Sequence, residues 1–315
     1  MRLTLLLSFT LLSACVVTRH PVTPAALPAT TIAEAELITL LNTPGPIIHS
    51  VHVSARWATK LSGLVNLDDP KAAALVDGET PIVLPVHRLV HPSAGVFVVD
   101  TGVERDTLQG ESGPVKGLVK LALKGATTVE PLGDVLAGAG APIGGVLITH
   151  MHLDHLLGLQ DVPAGTPIYI GAGETTAKGR GNLLLRRTIQ SALDGHAPLR
   201  TFDGAGAAPL GPIAQAYDLV GDGSLWALST PGHTPGSMAY LARTTEGPVL
   251  FTGDTCHTIW GWENNVTPGS FTADHALNAT SLNNLKALAE LLPGVKVYVG
   301  HETDGEGTGV DAPLK

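Results

Sequence analysis

The segment that most constrains this chain is a short apolar run ending in metal-competent side chains: Val146-Leu147-Ile148-Thr149 leads straight into His150-Met151-His152-Leu153-Asp154-His155. On extended backbone alternate side chains share a face, so His150 and His152 can offer two imidazoles to one cation from a strand end. Asp154 and His155 follow as the chain turns and can face a second cation. A lone His-x-His is weak evidence, but four candidate ligands in six residues after a buried strand is strong.

Three later segments repeat the arrangement of strand, turn and ligand. Leu225 to Ser229 passes through Thr230-Pro231-Gly232 to His233, Val249 to Thr252 through Gly253 to Asp254, and Val295 to Val299 through Gly300 to His301. A glycine just before each ligand permits a sharp turn and close backbone approach. Any one of these would read alone as a satisfied core histidine or a turn aspartate. Together they read as one shared site.

Other short runs of strand length begin near Pro46, Val83, Gly95, Ile168 and Met238, each bounded by Gly, Pro, Asp or Asn. Helical periodicity covers Thr31 to Leu41, Asn182 to Leu193 and Ser281 to Leu292, the last with Ser281 as the expected cap and Pro293-Gly294 as the stop. Val135 to Thr149 reads as a helix end, a loop and then a buried strand. Many strands with fewer helices suggest two packed sheets covered by helices, without naming the fold. No linker or repeat divides residues 31–315, which read as a single domain.

Composition narrows the function. The formal net charge of −9, from 19 Lys+Arg against 28 Asp+Glu, argues against a nucleic-acid backbone as partner. With 44% hydrophobic and 15% charged residues the chain is globular, and two cysteines beside thirteen histidines leave no disulfide framework. At the N-terminus, Arg2 and the apolar stretch Leu3 to Leu12 suit a secretory signal. Leu12-Ser13-Ala14-Cys15 resembles the lipobox of bacterial lipoproteins. It implies a signal peptide over 1–14, a lipid on Cys15 and a stiff Pro-rich tether to residue 30. The expected location is the cell envelope, at an outer membrane facing the periplasm, with a periplasmic or secreted protein as the alternative. Contact with the membrane surface would run through the lipid alone.

The motifs Thr149 to His155, Thr230-Pro231-Gly232-His233-Thr234-Pro235-Gly236, Phe251-Thr252-Gly253-Asp254 and Gly300-His301 resemble those of the metallo-β-lactamase-fold hydrolase superfamily, with Val98-Val99-Asp100-Thr101-Gly102 similar to its preceding strand and turn. The resemblance implies an α/β fold, an αββα sandwich of two mixed sheets flanked by helices. It also implies one metal on His150, His152 and His233, a second on Asp154, His155 and His301, and Asp254 between them. Asp100 reads as a residue orienting the ligand loop rather than as a ligand. Zinc is the usual occupant, and iron and manganese also suit N/O ligation.

Two divalent cations bridged by a carboxylate would acidify a bridging water, and the resulting hydroxide can attack a carbonyl or phosphoryl centre of a small-molecule substrate. Asp254 and Asp154 are thus catalytic candidates. The presence of Asp154, His155 and Asp254 is similar to lactonases and hydroxyacylglutathione hydrolases, and the segment Val83 to Asp100 is similar to lactonases in particular. Hydrolysis of a lactone or carboxylic ester is therefore the leading expectation. Phosphodiesterase, thioesterase and β-lactamase activities are the alternatives on the same metals, and a metal-binding protein without turnover is the non-enzymatic one.

Where lactonases commonly carry tyrosine, three residues after the bridging aspartate, this chain has His257. Its imidazole could donate a hydrogen bond, protonate a leaving alkoxide, or pack away from the metals. Cys256 reads as a packing residue. Trp260 and Trp262, in what reads as a loop after His257, are candidates for the wall of an apolar substrate pocket, or for a cap over the sheet edge.

Overall fold

Alternation along the strands sets the architecture. In a computed structural model, which describes residues 16–28, 32–108, 115, 118–178 and 182–303, the strands form two sheets. The first, mixed sheet runs in the order Val22–Pro24, Leu199–Phe202, Ile168–Gly171, Ile143–Leu147, Gly95–Val99, Glu79–His91, Ile48–Lys60 and Thr127–Thr128. The second runs Lys296–Tyr298, Gly247–Phe251, Met238–Thr244, Leu225–Ser229, Ile213–Asp218 and Ala208–Leu210. It is antiparallel except for the parallel pairing of Lys296–Tyr298 with Gly247–Phe251.

Both faces of the central strands are buried. Met238, Tyr240 and Ala242 join Phe97, Val99, Leu147 and Tyr169 between the sheets. The alternate residues Ala239 and Leu241 pack outward against Leu285 and Leu288 of the helix His275–Glu290. On the first sheet, Val98, Val146, Ile168 and Ile170 face outward onto Leu132, Val135, Ile189 and Leu193, carried by or beside the helices Leu132–Ala137 and Asn182–Leu193. Period-two burial on both faces thus gives helix, sheet, sheet and helix in layers, the expected αββα sandwich.

Several boundaries differ from the sequence reading. The last helix begins at His275 because Asp274 accepts a hydrogen bond from Leu277 N at 2.9 Å. Ser281 is therefore not a cap but lies inside the helix, where its Oγ donates to Pro231 O at 2.7 Å and ties the helix to the His233 loop. Ile48–Lys60 and Glu79–His91 form a longer hairpin than expected, 13 residues each, with a bulge near Val53. The Pro-rich stretch after residue 15 is extended but not free, since Val22–Pro24 pairs in parallel with Leu199 to Thr201 at the sheet edge. Residues 1–14, expected to be a signal peptide, and Cys15 lie outside the described residues.

Candidate metal centre

The site forms at one end of the sandwich because strands of both sheets terminate there. Gly95–Val99 and Ile143–Leu147 run parallel, which sets Asp100 beside Thr149 and the histidine run. From the second sheet, the turns after Ser229, Phe251 and Tyr298 deliver His233, Asp254 and His301. Met238 N donates to Thr149 O at 2.8 Å and stitches the two sheets at this level. The glycines serve as expected: Gly232 and Gly253 have φ of 142° and 50°. Gly300 is required by proximity, since a Cβ there would lie 2.2 Å from Asp254 Oδ1.

Among the described residues, the ligand atoms of His150, His152, His233 and Asp254 lie within 4.8 Å of one another, as do those of Asp154, His155 and His301. Asp254 Oδ2 stands between the groups, 3.6 and 3.5 Å from His150 Nε2 and His233 Nε2 and 3.5 and 3.3 Å from His155 Nε2 and His301 Nε2. Asp154 Oδ2 is 3.7 Å from His155 Nε2 and 3.6 Å from His301 Nε2. Separations in this range are those of donors gathered around a common ion.

The outer ring nitrogens are held as metal-binding imidazoles require. His155 Nδ1 pairs with Asp100 Oδ2 at 2.7 Å, and His301 Nδ1 faces Val83 O at 3.2 Å. His150 Nδ1 faces Thr149 Oγ1 at 3.1 Å, while that hydroxyl donates to Asp100 Oδ2 at 2.9 Å. His233 Nδ1 is 3.4 Å from Thr272 Oγ1. With the outer N–H committed, each ring turns an Nε2 lone pair inward. Asp100 thus braces His155 directly and His150 through Thr149, from left-handed backbone with φ 56°.

The buried His150 Nε2 and His155 Nε2 find no hydrogen-bond partner within the described structure. Unpartnered lone pairs on buried rings, converging on a carboxylate, fit divalent cations. Burial pushes the His150 and His233 imidazoles well below their usual range, with neighbouring imidazoles adding to it, whereas Asp100, Asp254 and Asp154 raise His155 and Asp254 and Asp154 raise His301 against the same burial. Burial alone would raise the Asp254 carboxyl, yet the surrounding His257, His301, His155 and His150 hold it well below the carboxylate range.

Sequence reasoning missed Glu174. This carboxylate, 1% exposed, accepts from Met151 N at 2.8 Å, from Gly236 N at 2.8 Å and from Thr234 Oγ1. Met151 separates His150 from His152, and Thr234 follows His233, so one buried side chain clamps both loops that carry the first ligand group.

A cavity of about 300 Å³ opens on Asp154, His152, Asp254 and His301. Its other walls are Trp57, Thr59, Leu64, Ile82, Val119, Leu123, Leu153, Leu185 and Phe271, with no Lys or Arg among the described lining. The candidate pocket residues Trp260 and Trp262 do not line it, which corrects the sequence reading. They sit on the helix Ile259–Asn264, capped by Thr258 Oγ1, where a spacing of two turns side chains to opposite sides. Trp260 packs toward the first-sheet core and Trp262 toward the second, with Lys286 Nζ 5.2 Å from its ring centre. His257, 1% exposed, is also absent from the cavity wall and lies with Nε2 2.9 Å from Asp254 Oδ2. Cys256 is fully buried, its thiol pushed up to about 12 by burial, and packs on Leu282 and Val299.

Comparison with known proteins bears on this geometry. The model of the metallo-beta-lactamase superfamily matches residues 89–301. Gamma-lactamase FDB1 of Fusarium pseudograminearum is 34% identical over 121 residues, covering 36% of this chain and only 29% of its own length. N-acyl homoserine lactonase AttM of Agrobacterium fabrum is 28% identical over 235 residues, covering 72% of this chain and 84% of its own. A crystal structure of a quorum-quenching N-acyl homoserine lactone lactonase superposes with a TM-score of 0.62 at 19% identity, covering 84% of this chain and 96% of that one, a likeness of fold.

Proposed function

This chain belongs to the metallo-beta-lactamase superfamily, and from that premise we propose that it is a metal-dependent hydrolase opening a lactone or cleaving a carboxylic ester at a dinuclear centre. The observation that carries the reading is Asp254 Oδ2, set between two groups of imidazoles at the floor of an apolar cavity. When bound, two divalent cations supply Lewis acidity and lower the pKa of a water held between them. His150, His152 and His233 would hold one, Asp154, His155 and His301 the other, and Asp254 both. Zinc suits the nitrogen and oxygen donors, as do iron and manganese.

The chain's own residues supply the rest. Asp100, Thr149, Val83 O and Thr272 aim the imidazoles, so no ring must reorient during turnover. Apolar walls from Trp57 to Phe271 would receive an acyl chain and exclude water from beside the scissile carbonyl. Beyond the ligand histidines, a phosphodiester would meet described walls that carry no Lys or Arg to receive its charge, and this favours a neutral ester. The names of the two relatives, a gamma-lactamase and an acyl homoserine lactonase, support attack on a cyclic carbonyl compound.

The test is a panel of acyl homoserine lactones, aryl esters, thioesters, β-lactams and phosphodiesters with the metal-loaded protein. Lactone turnover lost by a factor of about 10³ or more in Asp254→Asn is expected. Phosphodiester turnover without lactone activity would overturn the proposal. We extend the proposal to attachment at the cell envelope through a lipid on Cys15, on the strength of residues 1–15. Incorporation of labelled palmitate, lost in Cys15→Ser, is the matching measurement.

A further inference from the structure

The outer nitrogen of His257 is buried and finds no acceptor among the described residues. That nitrogen is Nδ1, whereas the outer nitrogens of His150, His155, His233 and His301 each face an oxygen. Its backbone is nonetheless pinned: Gly300 N donates to Cys256 O at 2.9 Å and His301 N to His257 O at 3.0 Å. These two rungs hold the His257 and His301 rings side by side, with centres 5.1 Å apart. Nε2 lies 2.9 Å from Asp254 Oδ2, the shortest approach of any imidazole to that oxygen, and Asp254, His257 and His301 form a further close group of possible ligands.

Three roles are open to a ring so placed, and burial separates them. As a metal ligand, His257 would turn its Nε2 lone pair inward and leave an N–H at Nδ1 buried with no acceptor, a rare arrangement. As a donor from Nε2 it leaves only an unsatisfied acceptor at Nδ1, which folded proteins tolerate more often. As a general acid it must reach the substrate, yet it is 1% exposed and does not line the cavity. Resting on the dinuclear reading above, we propose that His257 is a positioning residue: its Nε2–H donates to Asp254 Oδ2 from behind and fixes the bridging carboxylate, without binding metal or protonating the leaving group.

The role assigns His257 a distinct signature. It predicts that losing the donor frees the Asp254 carboxylate to rotate, weakening the ion held more loosely and slowing every substrate equally. Full-length parent, His257→Gln and His257→Ala, loaded with cobalt, carry the test. X-ray absorption should count the same number of imidazoles per ion in all three. Affinity for the second cobalt, measured against a chelator, should fall on the order of tenfold in His257→Ala and less in His257→Gln, which keeps an N–H donor. Across a series of substituted phenyl butyrates, kcat should drop by one common factor at unchanged KM. Loss of an imidazole from the count would make His257 a ligand and overturn the proposal. A loss of rate that grows with leaving-group pKa would make it an acid, with the same result. Unchanged affinity and rate in His257→Ala would leave it no role. Should the alanine variant fail to fold, His257→Gln alone still separates ligand, acid and donor. A parent that binds fewer than two cobalt ions would overturn the dinuclear reading itself, whereas a parent with two and a ligated His257 would overturn only this inference.

Discussion

The two sheets contribute to the centre in different ways. The first delivers His150, His152, Asp154 and His155 from one continuous loop, while the second delivers His233, Asp254 and His301 from three strand ends. The loop is braced largely from within its own sheet, by Asp100 and Thr149. The second sheet's ligands are steadied across the sandwich. His301 exchanges hydrogen bonds with Val83 through both its backbone and its ring, and Glu174, following a first-sheet strand, grips the His233 turn. A compact motif can therefore be self-supporting, whereas dispersed ligands depend on the docking of the two sheets.

Cutting the cross-sheet clamp should have the largest effect. Glu174→Ala strands the buried Met151 and Gly236 N–H groups, so a stability loss of about 2–4 kcal/mol is expected in urea unfolding, with weakened binding of the first cation. If stability fell while metal affinity held, the clamp would serve the fold alone. Loosening the within-sheet brace should be milder for the fold and more selective for metal. Asp100→Asn keeps a side chain tolerant of left-handed backbone but weakens the bond to His155 Nδ1, and a loss of about 10–100-fold in metal affinity is expected by chelator competition. Unchanged affinity for the cation that His155 would hold would contradict the direct pairing of Asp100 with that ring.

The cavity sharpens the contrast between lining and core tryptophans. Trp57→Ala should raise KM for long-chain acyl lactones on the order of tenfold, with little effect on short ones. Trp262→Ala should leave KM unchanged and cost about 1–2 kcal/mol of stability. The reverse pattern would restore Trp262 to the pocket.

The smallest effect concerns the sheet interface away from the centre. His49 Nε2 and His87 Nδ1 are 3.2 Å apart, and burial, reinforced by nearby cations, lowers His49 to about 4 and His87 well below its usual range. An unfolded imidazole titrates at 6.5, so between pH 6.5 and about 4 the unfolded chain binds more protons and stability falls as pH falls. In His87→Leu the decline in melting temperature over that window should be shallower. An unaltered slope would show that the pair does not govern acid stability.

Legibility in the sequence followed the range of the interactions. The strand, turn and ligand pattern is local, and it carried all seven candidate ligands, while the αββα fold and the role of Asp100 came with the family resemblance. Glu174 had no local signal, since its partners lie 23 and 62 residues away and a glutamate in a short turn reads as solvent-facing. The misread tryptophans had a signal that went unused: Thr258 is a serviceable N-cap three residues before Gly261 N, and a helix there separates Trp260 from Trp262. The edge pairing of Val22–Pro24 depends on a strand about 175 residues later, beyond any periodicity argument.

One carboxylate from the second sheet joins two cation sites, each built from two ligands of the first-sheet loop and one histidine of the second sheet. Metal stoichiometry by elemental mass spectrometry on the parent and on Asp254→Asn tests it most directly. Two ions per parent chain are expected, and about one in the variant together with loss of lactone turnover. A parent holding a single ion, or a variant that keeps both ions and full turnover, would contradict it.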